Sequence, residues 1–142
     1  PDAIKGIGSL IRLIWSSVLL GATFLGAGYA LSALARRPSG AAGLAIALWL
    51  LAVVLYVFVM LALIVTDRGG VFTTQALPVA VLANPADAFR VFNLSAGQAV
   101  AAAGGIGGAA NTIPLWQSAA SLFVWPVLAI ALALAAFRKV TP

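Results

Sequence analysis

The sequence predicts an all-α, polytopic membrane protein, with three transmembrane helices and short re-entrant or interfacial helices in an extracytoplasmic segment between the second and the third. Three observations predict it. Residues 13–34, 41–65 and 116–137 form runs of 22, 25 and 22 residues without one charge, each long enough at about 1.5 Å per residue to cross a hydrocarbon core of about 30 Å. The 142 residues are 63% hydrophobic and only 8% charged, where a globular chain carries about 25% charged residues. The basic residues stand mostly at the ends of the apolar runs, as membrane flanks do.

Taken in order, residues 2–12 carry Asp2, Lys5 and Arg12 among isoleucines and read as an interfacial lead-in that becomes helical. In the first span Ser17 and Gly21 stand four apart, and Ala22, Gly26 and Ala30 repeat that spacing, which lets a second helix approach closely. Arg36-Arg37-Pro38-Ser39-Gly40 is a basic turn at which the chain reverses. The second span contains Tyr56, whose hydroxyl needs a partner and so points at protein. Residues 71–83 are apolar but too short to cross, which suits a re-entrant or interfacial helix broken at Pro78. Ser95 and Gln98 have capping-box spacing for a short helix over 96–103, and the glycines of 104–108 read as a hinge. The third span carries Pro126, expected to kink it, and ends at Arg138 and Lys139.

The whole chain, 1–142, reads as a single membrane domain with an outer segment at 66–115. Arg36 and Arg37 in the turn, with Arg138 and Lys139 in the tail, set the expected orientation: both flanks cytoplasmic, the outer segment on the other side.

One stretch in the outer segment carries ordered polar chemistry. In Asn84-Pro85-Ala86-Asp87-Ala88-Phe89-Arg90, Asn84 is an N-cap, Pro85 suits the first helical position, and Asp87 can reach back toward the exposed amides. Arg90 stands three residues after Asp87 on the same face, and Phe89 and Phe92 share a face as well.

Composition excludes several functions. The chain has no histidine and no cysteine, three carboxylates (Asp2, Asp67, Asp87) and one methionine, so no catalytic base, thiolate nucleophile or copper relay can be assembled from it. A net charge of +5 without a basic face does not suit nucleic acid. No cofactor and no metal site is expected.

The run Leu34-Ala35-Arg36-Arg37, the Ala-Leu-Trp-Leu-Leu of 47–51, Leu55-Tyr56, and Asn84 through Arg90 to Asn93-Leu94 together resemble the C-terminal half of an ABC-2 type transporter permease, and within that family the type that serves copper-site assembly of nitrous oxide reductase. The resemblance implies a multi-pass permease subunit of the bacterial inner membrane, paired with a second permease copy, a cytoplasmic ABC ATPase and a periplasmic partner. ATPase activity then belongs to a separate subunit, and three further spans are expected outside these residues. It also makes Asn84, Pro85, Asp87, Phe89 and Arg90 the candidates for partner coupling. The alternative is a small, non-transporting membrane anchor or assembly subunit of a larger complex.

Overall fold

The computed structural model describes residues 2–94 and 113–140, and the described residues are helical with short turns. The expected short helix at 96–103 and the glycine hinge at 104–108 lie outside them. Three helices are long and apolar enough to cross a membrane: α1 (Asp2–Leu34), α2 (Pro38–Asp67) and α5 (Leu115–Val140). The protein is a multi-pass membrane protein. Between α2 and α5 stand two shorter helices, α3 (Phe72–Ala83) and α4 (Pro85–Leu94).

Helix α1 begins well before the uncharged run that marks its membrane part. Asp2 occupies its first turn, where a carboxylate is favoured by the helix dipole, and Lys5 and Arg12 end the apolar run without ending the helix. Arg37 is extended (φ −140°, ψ 145°), the conformation that a following proline imposes, so α2 starts at Pro38 and runs back along α1.

Two features shape α2. Over Leu51–Leu55 its winding widens to a π-turn, in which the Tyr56 N–H donates to the Leu51 carbonyl five residues back. At its far end Arg68 (φ 49°) and Gly69 (φ 82°) are both left-handed and turn the chain sharply. The Asp67 carboxylate then accepts the Thr73 N–H at 2.8 Å, which caps the returning helix. Gly70 is required in this turn, because a Cβ there would stand 2.7 Å from Asp67 Oδ1.

Helix α3 returns antiparallel along α2. The Tyr56 hydroxyl donates to the Ala80 carbonyl at 2.5 Å, and Leu77 and Val81 pack with Met60, Ile64, Val91 and Ile113. The break expected at Pro78 does not occur. The π-turn over Phe72–Ala76 lies directly before it, and the wider winding makes room where the proline ring would meet the carbonyl four residues earlier.

Helix α5 runs in the same direction as α1. Trp15 stacks on Phe123 with centroids 5.7 Å apart, and Gly26 meets Ala129 so closely that a Cβ on Gly26 would lie 3.0 Å from the alanine's. Of the two small-residue stripes in α1, the one through Ala22, Gly26 and Ala30 makes this contact, whereas Ser17 and Gly21 are exposed. Pro126 is buried inside α5, and the helix continues through it.

Candidate functional site: a polar hairpin between the spans

The hairpin of α3 and α4 carries the polar motif to the middle of the second span. Asn84 lies between the two helices, and its side-chain amide donates to the Ala52 carbonyl at 2.6 Å. Ala52 belongs to the π-turn at the midpoint of the thirty-residue α2. The motif read from sequence as an outer-segment cap is therefore inserted into the bundle, where hydrogen-bond partners must come from the protein.

Asn84 uses every polar atom of its side chain. Its Oδ1 accepts the Ala86 N–H at 3.2 Å, the N-cap bond expected of it, while Nδ2 serves both Ala52 and Asp87 Oδ2, the latter at 3.1 Å. Asp87 differs from expectation in one respect. Its carboxylate meets the Asn84 side chain and, through Oδ1, Arg90 Nη1 at 3.1 Å. Asn84 and Asp87 are buried, whereas the Arg90 side chain is about a third exposed. Burial pushes the Asp87 carboxyl up from its ordinary value, against the charge of Arg90 and the hydrogen bonds from Asn84 and Arg90.

Pro85 opens α4 at the N1 position. Phe89 is half-buried. Phe92 sits edge-on to Trp15 at 5.0 Å, with the Arg12 guanidinium 4.7 Å from its ring centre.

Sequence reasoning missed the hairpin's other ties. Asn93 Nδ2 donates to Ser16 Oγ of α1 at 3.0 Å and to the Phe89 carbonyl at 2.9 Å, and Ser16 is fully buried. On α5, Ser121 Oγ at 2.7 Å and Trp125 Nε1 at 3.3 Å both donate to the Leu82 carbonyl. A serine in an apolar helix ordinarily bonds its own preceding turn, as Ser16 also does with Arg12, so nothing local to Ser16 or Ser121 announces a second partner. The hairpin is thus hydrogen-bonded to all three spans.

Beyond the hairpin, α1, α2 and α5 line a half-open cavity of about 610 Å³. Asn84, Tyr56 and Trp125 line one end, and Leu34 and Lys139 line the other. Arg36 and Arg37 follow Leu34 after Ala35, and Arg138 and Lys139 lie in the last turn of α5, so the four basic residues singled out in the sequence gather at one end of the bundle. Among the described residues no three His, Cys, Asp or Glu side chains come together.

Residues 3–141 match the family model described as ABC-2 family transporter protein. The chain belongs to the ABC-2 transporter family. It is 41% identical over 135 residues to the probable ABC transporter permease protein NosY of Pseudomonas aeruginosa, covering 94% of this chain and 48% of that protein. It is 37% identical over 133 residues to the protein of the same name from Stutzerimonas stutzeri, covering 90% of this chain and 47% of that one. The chain thus spans about half the length of the curated relatives it matches.

Proposed function

We propose that these residues are the C-terminal half of an ABC-2 permease subunit in the bacterial inner membrane. Motion driven by ATP hydrolysis on a separate cytoplasmic ATPase passes through the spans either to a solute or, as mechanical action, to a periplasmic partner. The specific role is service in copper-site assembly of nitrous oxide reductase, with two permease copies in the complex. Family membership and the names of the two relatives support the permease reading.

The observation that carries the coupling role is the hairpin: Asn84 fastens it to the π-turn of α2, while Asn93 ties it to α1 and Leu82 to α5. A displacement of any span is felt by one polar wedge hydrogen-bonded to all three. In this assignment Asn84, Pro85, Asp87, Phe89 and Arg90 hold the geometry, and the basic ends at Arg36, Arg37, Arg138 and Lys139 face the cytoplasm.

The test is Asn84→Ala with Asp87→Ala in the full-length permease, co-expressed with its ATPase. Membrane insertion and ATPase association are expected to be normal, with copper loading of nitrous oxide reductase reduced. Unchanged copper loading would leave the motif a structural cap alone. If no ATPase co-purifies even with the unaltered permease, the anchor reading replaces this one.

A further inference from the structure

The π-turn of α2 has no cause in its own sequence. The π-turn of α3 is followed at once by Leu77-Pro78, where the proline ring needs the wider winding. Leu51-Ala52-Val53-Val54-Leu55 contains neither proline nor glycine, and neither follows before Gly69. Its winding is held from outside the helix. In α-winding the Tyr56 N–H would bond the Ala52 carbonyl, but here it donates to Leu51, and the Asn84 side chain supplies the donor to Ala52 instead. Asn84 therefore bonds the carbonyl that the π-turn deprives of its usual N–H, and a return to α-winding would compete for it.

The same turn divides α2 by partner. Over Pro38–Leu50 the helix packs on α1, whereas Leu51–Leu55 packs on α4 and Tyr56–Asp67 on α3. The last of these contacts runs through Tyr56 with Ala80 and through Met60 and Ile64 beside Leu77 and Val81.

We propose that the π-turn is a hinge: the Pro38–Leu50 arm turns about it relative to the rest of α2, and the Asn84 side chain holds its resting register. The hinge rests on the coupling role above and gives it a moving part. A bend at a π-turn breaks fewer helix bonds than a bend in α-winding, because one is already missing there. Motion that enters at the basic turn before Pro38 is taken up at Ala52, and the hairpin receives it through Asn84.

Double electron–electron resonance on the full-length permease, purified with its ATPase and with any other cysteines replaced, tests this. Spin labels go on Ile46→Cys and Leu61→Cys, two exposed positions on either side of the π-turn, about 22 Å apart along the helix. Trapping with ATP and vanadate should shift this distance by several ångström. A control pair at Leu61→Cys and Val79→Cys, both beyond the hinge and exposed, should not shift. Deleting Val53 rewinds the turn to α-winding and should abolish the shift while ATPase association persists. Asn84→Ala should broaden the Ile46–Leu61 distribution without any nucleotide. An unshifted Ile46–Leu61 distance in a complex that hydrolyses ATP and loads copper, or an equal shift in the control pair or in the Val53 deletion, would overturn the hinge. If no ATPase co-purifies, the coupling reading falls, and Asn84→Ala still decides the hinge: a broadened distribution supports it and an unchanged one overturns it.

Discussion

The two halves of this bundle are held by different forces. Around the hairpin, every span donates to or accepts from it through a named polar group: Ser16 with Asn93, Tyr56 with Ala80, Asn84 with Ala52, and Ser121 and Trp125 with Leu82. Toward the basic end the spans instead surround a cavity, with the Gly26–Ala129 contact at its flank. Hydrogen bonds fix distance and direction, whereas small-residue packing leaves helices free to slide until they meet. On the proposed coupling role, motion enters through the cavity half and the hairpin half passes it on as a unit.

The largest disruption should come from crowding the close contact of α1 with α5 at Gly26. Gly26→Leu drives a side chain into Ala129 and should cost about 1–3 kcal/mol or more, seen as a lower thermal midpoint in detergent. Next is Asn84→Ala, which removes the cap and leaves the Ala52 carbonyl without its side-chain donor. A loss of about 1–3 kcal/mol is expected, and Asn84→Asp should not restore it, because a carboxylate cannot donate. Smaller again is Asn93→Ala, which cuts the tie to α1 along with a bond to the Phe89 carbonyl of its own helix and should cost about 0.6 kcal/mol, the mean for hydrogen bonds between membrane helices. If Asn93→Ala proves as costly as Asn84→Ala, the polar half is a set of equal ties rather than one organised on the π-turn.

The smallest effect is pH-dependent. Because the Asp87 carboxyl is raised on folding, the folded state binds its proton more readily than the unfolded state does. Stability from this group is therefore present below the ordinary carboxylate range and declines as pH rises through the raised value. Asp87→Asn should flatten that dependence in a series of thermal midpoints. A steeper slope in the variant would mean that Arg90, rather than burial, governs the carboxylate.

What was legible in the sequence follows the same division. Uncharged run length located the three spans, because the bilayer sets that length for any chain. The cap at Asn84 and the ion pair of Asp87 with Arg90 were legible because their partners lie within three residues. The depth of the motif was not, since it depends on Ala52, 32 residues away in sequence. Nor were the ties at Ser16 and Leu82, whose partners lie 77 and 39 residues distant. Pro78 misled in the opposite sense: its effect on an α-helix is well defined, but a preceding π-turn absorbs it without altering the pattern of apolar residues.

The π-turn at Leu51–Leu55 also fixes what kinds of change the second span can tolerate. A π-turn holds one residue more than α-winding would need. Deleting one residue there would rewind it and leave everything beyond in register, whereas adding one to the α-wound part between Pro38 and Leu50 would rotate everything beyond by about 100°. Tyr56, Met60 and Ile64, one face at successive turns, would swing off the hairpin together. No residue of α2 is buried, so most of its surface can exchange one apolar side chain for another. Its length cannot vary so freely. Natural variation in this span should be abundant in letters, with few insertions between Pro38 and Tyr56 and deletions confined to one residue at the π-turn.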